Sequence, residues 1–312
     1  MSFLPPTAIC IAAVLLFGCE ETDYSLGGSA DGGTGPGSGG AASWVPDAGA
    51  LGPFSIPTIV TELSLPYWTD DDPSLTADMR EIYFNSNRPG GVGGSDIWRA
   101  TRESARDAWG QPEVVAELST AGTETHASVE PDGLTIWVAM RPEGGTTGYD
   151  VWRSRRASRQ DAWNPAEFVA ELSTDDDDMV TSPGADFSEI YLARKPVGTE
   201  AWDMYRFVET DDGFGPAIPL YELNTPGSEF DPFMTADGLS IFFTNQTFGT
   251  FGTDIYVAHR TDTEALFGQD FPVVELNSEW GDSDLWISPD LRSAFFSSNR
   301  NGGVWNIYEA HR

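Results

Sequence analysis

Five copies of a unit of roughly 50 residues fill this chain from about residue 54 to its end, and that repeat decides what it can fold into. The clearest marker is a Glu-Leu pair: Glu62-Leu63, Glu117-Leu118, Glu171-Leu172, Glu222-Leu223 and Glu275-Leu276. Successive Glu residues are 55, 54, 51 and 53 positions apart. An aromatic stands eight residues before each: Phe54, Trp109, Trp163, Phe214 and Phe267. A third series, Asp96, Asp150, Asp203, Asp254 and Asn306, precedes an apolar residue and then an aromatic. Three registers with one period mean a solenoid or a propeller.

Within each unit, short β-rich runs alternate with turn residues. In the first, Pro73–Thr76, Glu81–Asn85, Asp96–Ala100 and Val114–Leu118 are of strand length, bounded by Gly, Pro and Asp. No window carries sustained apolar 3.6 periodicity, so long helices are not expected. Four antiparallel strands per unit make a propeller blade. The repeat begins with a fourth-type strand, Thr58–Leu63, and ends on a third-type strand, Asn306–Ala310. The expected fold is therefore all-β: a five-bladed β-propeller of four-stranded antiparallel blades over 54–312, closed by an N-terminal strand that completes the last blade. Such closure removes two raw sheet edges.

Residues 7–18, TAICIAAVLLFG, are apolar but too short to span a bilayer as a helix. They end in Leu16-Phe17-Gly18-Cys19, which resembles the bacterial lipobox. The resemblance implies removal of 1–18 as a signal peptide and lipidation of Cys19; an ordinary secretory signal is the alternative. Residues 19–53 are rich in Gly, Ser, Ala and Asp, and form an expected flexible tether. Once Cys10 leaves with the signal and Cys19 carries lipid, no thiol remains for catalysis or a disulfide, and stability rests on the apolar core. The net charge of −32, from 49 acidic and 17 basic residues, repels nucleic acid and anionic headgroups. Contact with the membrane is expected through the anchor only.

The run Asp72-Pro73-Ser74, Ala77-Asp78, Ile82-Tyr83-Phe84-Asn85-Ser86-Asn87-Arg88-Pro89-Gly90-Gly91 and Ser95-Asp96-Ile97-Trp98 resembles the PD40, or WD40-like, β-propeller repeat. That family includes the propeller of the Tol-system protein TolB and many exported bacterial proteins. The last blade repeats the pattern in Ser288-Pro289-Asp290 and Ser298-Asn299-Arg300-Asn301-Gly302-Gly303; the third, with Ala185-Asp186-Phe187, diverges most. The resemblance covers the five blades and implies a fold; it does not specify an activity, and Glu20 after Cys19 resembles lipoprotein sorting patterns that favour the outer membrane of the envelope.

The recurring Asp at the start of strand three is expected to bond turn amides, and the aromatics to pack between blades. More informative is the position entering each innermost strand: Asp72, His126, Val180, Asp231 and Asp284. In a propeller these five ring one mouth of the central channel. Residues two earlier add Asp70, Glu124, Asp178, Glu229 and Asp282. Asp72, His126, Asp231 and Asp284 are the expected ligand-binding residues, and Asp72, Asp231 and Asp284 a candidate site for a hard cation such as Ca²⁺; hydrated strand caps are the alternative. There is no Gly-x-Ser-x-Gly elbow and no His-Glu-x-x-His, and near-constant spacing leaves no room for large sugar-binding insertions. The expectation is thus a monomeric, non-catalytic scaffold for an envelope protein, peptide or glycan. The alternative is a glycoside hydrolase or lyase using channel carboxylates.

Overall fold

The computed structural model describes residues 51–312 apart from 145–147, 184–187 and 247–251. The signal segment, Cys19, nearly all of the tether and the Ala185-Asp186-Phe187 run lie outside the described residues. Blade one is β2 (Asp70–Leu75), β3 (Glu81–Ser86), β4 (Asp96–Thr101) and β5 (Glu113–Val114), paired in that order from channel to rim. Blade two follows the same order with β6 (Thr123–Val129), β7 (Thr135–Arg141), β8 (Asp150–Arg155) and β9 (Glu167–Phe168). Blade three holds β10 (Asp177–Pro183), β11 (Glu189–Lys195) and β12 (Asp203–Thr210), the last pairing with both β13 (Gly213–Phe214) and β14 (Ile218–Pro219). Blade four is β15 (Ser228–Met234), β16 (Ser240–Gln246), β17 (Asp254–His259) and β18 (Phe271–Pro272).

The last blade is β19 (Asp282–Ile287), β20 (Ser293–Ser298) and β21 (Asn306–His311), and its fourth strand is β1 (Thr58–Ile59). Thr58 lies opposite Glu309 and Ile59 opposite Tyr308. The Ser55 amide donates to the His311 carbonyl at 2.7 Å, and the Val60 amide to that of Ile307 at 2.9 Å. The fold and its closure are as the repeat predicts.

The outermost strands are shorter than the sequence suggests. β5 spans two residues, and Ala116–Leu118 forms one turn of 3₁₀ helix. The cause is Leu118, which must turn from the rim into the core. Leu63, Leu118, Leu172, Leu223 and Leu276 are all buried, so the Glu-Leu marker records an anchoring leucine beside an outward Glu. Burying one leucine is worth about 1.5–3 kcal/mol.

The aromatic series packs between blades. Trp109 meets Phe295 edge-on at 6.4 Å, Trp163 meets Tyr83 at 5.9 Å, and Phe214 meets Trp137 at 6.0 Å. An arginine after the third strand stacks on the same ring in four blades: Arg102 on Trp109, Arg156 on Trp163, Arg260 on Phe267 and Arg312 on Phe54. Each also donates its Nε to a carbonyl of the inner hairpin, at 2.6–2.7 Å. A cation over an aromatic face contributes about 0.5–2 kcal/mol. Arg312 on Phe54 repeats this unit across the two ends of the propeller. Among the described residues there is no α-helix, and no helix is long and apolar enough to cross a membrane.

Candidate functional site

The inner strand of every blade carries a β-bulge at one repeat position. Pairing shifts between Asp71 and Ser74, Thr125 and Ser128, Val180 and Ser182, Phe230 and Phe233, and Ser283 and Trp286. Asp72, His126, Asp231 and Asp284 occupy the bulges with φ of 55°, 49°, 52° and 54°. Positive φ strains a residue that has a Cβ, and such strain gathers at functional positions. Pro73 and Pro232 follow two of these residues; a proline inside an inner strand fits a bulge, where no ladder donor is needed.

The extra residue changes what faces the channel. In an unbroken strand only alternate side chains would do so. Here Asp71, Thr125, Met179, Phe230 and Ser283 line the upper channel, and the next residue in three blades, Asp72, His126 and Asp284, reaches the same space. The four bulge side chains close on one another. His126 Nε2 lies 3.0 Å from Asp231 Oδ1 and 4.0 Å from Asp284 Oδ1, and its Nδ1 lies 3.4 Å from Asp72 Oδ2. Asp284 is hydrogen-bonded to the carboxyls of both Asp72 and Asp231. The neighbouring hydroxyls support the group: Thr125 donates to Asp72 at 2.6 Å, Thr244 to Asp231 at 3.0 Å and Ser283 to Asp284 at 2.7 Å. Three of the bulge amides also reach out of their blades. His126 donates to the Asp72 carboxylate at 3.0 Å, Asp72 to Ser297 Oγ at 3.0 Å, and Asp284 to Thr244 Oγ1 at 3.4 Å.

The environments of the four differ. Burial, with the Asp284 charge beside it, raises Asp72 to about 7. Burial and Asp284 also push Asp231 well up. Burial would raise Asp284 too, but hydrogen bonds from Asp231 and Asp72 and the His126 charge hold it below the usual range. Burial would lower His126, yet the charges of Asp72, Asp231 and Asp284 lift it to about 10. Below about pH 7 one carboxylate thus stays ionised beside two carboxyls that hold protons, opposite a histidine held in its charged form. Asp71, bonded by Asn85 Nδ2, is likewise raised by burial and by Asp72.

Asp70, Glu124, Asp178, Glu229 and Asp282 do not join this ring, contrary to the grouping made from sequence. All five are fully buried inside the blades. They accept from the amides of Leu65, Thr120, Thr174, Thr225 and Ser278 at 2.6–2.9 Å, fixing the loops that lead into the inner strands. Arg88, Arg194 and Arg300 pair with three of them at 2.5 Å. Their role is structural. Asp96 behaves as expected, accepting from the amides of Val92 and Gly93.

The cluster sits between two cavities. The upper one, about 210 Å³, is lined by Trp202, Phe230, Trp305 and Met179 as well as Asp72, His126 and Asp284. The lower one, about 120 Å³, is lined mostly by apolar side chains and shares all four bulge residues. Asp72, His126 and Asp284 each offer a ligand atom within 4.8 Å of the others, a spacing a cation could bridge. The imidazole is itself one of the three, so a cation there would compete with its proton. Sequence reasoning found the ring position and missed Trp202, Trp305, Thr125 and Thr244. The signal for the bulge was available in Pro73 and Pro232.

No protein-family model matches this chain, and no curated protein matches it in sequence. Solved structures do match in fold. An endo-arabinase from Bacteroides thetaiotaomicron superposes with a TM-score of 0.55 at 13% identity, over 83% of this chain and 97% of the enzyme. An α-L-arabinofuranosidase from Lactobacillus brevis gives 0.51 at 11% identity, over 81% and 94%. TolB from Acinetobacter baumannii gives 0.49 at 15% identity; the match covers 77% of this chain and 53% of that one. At these identities the likeness is one of fold. It corrects the expectation that the chain is not an enzyme. That expectation rested partly on the lack of large insertions, yet nearly the whole of an endo-arabinase fits within this propeller.

Proposed function

We propose that the channel is the active site of a hydrolase that cleaves glycosidic bonds. The observation that carries this reading is the pairing of Asp72, pushed to about 7, with Asp284, held ionised beside it. A carboxyl kept protonated near neutral pH beside an ionised partner is poised to act as an acid. Asp72 would protonate the leaving oxygen. Asp284 is hydrogen-bonded to Asp72, closer than the roughly 5 Å or more at which paired carboxyls flank a scissile bond, so its part would be to hold and tune that acid. His126 and Asp231 hold both in place, and the imidazolium offsets charge that builds on the carboxylates. The rings of Trp202, Phe230 and Trp305 at the upper mouth suit the C–H faces of a sugar. The fold likeness to two arabinan-type enzymes adds support. The Leu16–Cys19 pattern supports an exported protein tethered by lipid at Cys19, meeting glycan in the envelope.

The test is turnover of a panel of arabinan, xylan and pectic oligosaccharides and nitrophenyl glycosides, between about pH 4 and 8. Asp72→Asn should lower kcat by about a hundredfold or more, with the larger loss on substrates with poor leaving groups. Asp284→Asn should lower it on all substrates. Saturable glycan binding without any turnover would replace catalysis with recognition at the same site, and turnover unchanged in Asp72→Asn would remove the acid from its role.

A further inference from the structure

The lower chamber has no part in the chemistry just described, and its walls are of a different kind. Leu75, Val129, Met234 and Ile287, equivalent residues from the ends of four inner strands, line it and are buried. Phe233 and Trp286 complete the wall, meeting edge to face at 6.5 Å. Four hydroxyls along it are engaged with the frame. Ser74 accepts the Val129 amide at 3.0 Å and Ser182 the Met234 amide at 3.1 Å. Thr235 and Ser288 donate to Asp237 and Asp290 at 2.6 Å. The carboxyl cluster closes the inner end, and its members are already matched to one another: Asp284 is bonded to Asp72 and Asp231, and His126 lies against Asp72 and Asp231. A space of about 120 Å³ is close to that of apolar cavities, about 150 Å³, that stay dry and accept a benzene-sized guest. The chamber reaches the surface beside Pro131 and Pro289, both exposed.

We propose that the lower chamber binds a small neutral apolar molecule, about the size of benzene or toluene. The guest fills the space between Leu75, Val129, Met234 and Ile287, and its affinity comes from apolar burial. Neutrality follows from the state of the inner end. An ion of either sign would leave water for a place where the charges already have their partners, and a buried charge without a partner of its own is costly. Water is a poor occupant of the same space, because it needs two to four polar partners and the walls are apolar side chains. The volume sets the upper size: one ring fits between four inner strands. This site stands whether or not the channel turns over a glycan, since it lies on the other side of the cluster from Trp202, Phe230 and Trp305.

The experiment is an NMR titration of the methyl-labelled full-length protein with toluene, and with benzylammonium as its charged counterpart. It is run at about pH 6, where Asp72 holds its proton. Saturable binding of toluene is expected, with Overhauser contacts from its ring to the methyls of Leu75, Val129, Met234 and Ile287. Benzylammonium should bind about tenfold more weakly or worse. Ile287→Phe, which fills the chamber, should abolish binding of toluene. The contacts and the comparison of the two ligands are read on the parent protein and need no variant to fold. Absence of saturable binding, contacts only to methyls outside the chamber, equal or tighter binding of benzylammonium, or binding undisturbed by a folded Ile287→Phe protein would each overturn the proposal.

Discussion

His126 Nε2 lies 3.0 Å from Asp231 Oδ1, joining blade two to blade four across the channel. Blade three separates them in sequence, and the imidazole reaches past it because its residue sits at a bulge. A single side chain thereby ties together three carboxylates from three other parts of the ring. Removing it leaves those carboxylates buried without their basic partner. His126→Ala should destabilise the propeller by about 3–5 kcal/mol, read from denaturant unfolding. Wild-type stability in that variant would mean the contact is incidental.

Stability should fall as pH rises from mildly acid to alkaline. His126 is held at about 10 against 6.5 unfolded, so its contribution is whole below 6.5 and fades as pH climbs toward 10. Asp72, raised from 3.8 to about 7, acts in the same sense at lower pH: its contribution is whole below 3.8 and fades toward 7. Asp284 opposes them weakly, losing its share only as pH drops below its lowered value. Calorimetric Tm should therefore decline across the interval from 6.5 to 10, and His126→Asn should flatten the alkaline part. A parent Tm that rises over that interval contradicts the arrangement.

Divalent cations test the second use of the same carboxylates. A Ca²⁺ ion at Asp72, Asp231 and Asp284, or one also bound by His126, must compete with the imidazolium proton. Millimolar Ca²⁺ should then raise Tm relative to chelator more at about pH 9 than at about pH 6. The shift should vanish in Asp284→Ala. A shift that persists in that variant would place the ion elsewhere.

Closure by β1 predicts a strong effect from a short deletion. Removing residues 54–63 takes away the Thr58–Ile59 strand, the buried Leu63 and the ring beneath Arg312. The truncated protein should unfold over a broad range and aggregate through the bare edge of β21. Retention of the full Tm would falsify this account of how the ring is sealed.

With lipid at Cys19, as proposed, Cys19→Ala should release the protein from membranes or leave it unprocessed, because the tether is polar and acyl chains would supply the membrane affinity. Metabolic labelling with a palmitate analogue is the direct assay. A mature chain that is unlabelled and begins at another residue would rule out lipidation at Cys19.

The frame was legible because period is a property of spacing. Five Glu-Leu pairs and five aromatics give blade number, and the Phe54–Leu63 fragment gives closure. The site was only half legible. The repeat position of Asp72, His126, Asp231 and Asp284 could be read, but not which side chains converge, since one bulged residue decides what faces the channel. For that reason Asp70 and its equivalents, two residues away, were grouped with the ring although they fasten loops inside the blades. The stacked arginines are hard to read from sequence because three lie seven residues before their rings and the fourth, Arg312, meets Phe54 from the other end of the repeat. Loop length says nothing about the gathering of the carboxylates, which rests on a strained turn of backbone in four inner strands.

The handing of three bulge amides to other blades has a consequence for how this protein can change. Frame and channel are written in different letters: the leucines, rings and arginines hold the wheel, while one bulged place in four of the blades brings its side chain to the hub. Exchanging the occupant of that place leaves the ladder around it untouched. The channel thus behaves as a set of interchangeable sockets, in which an acid, a base or an apolar group can be tried one blade at a time. The four described here, three acids and one base, are one combination that a duplicated unit makes available.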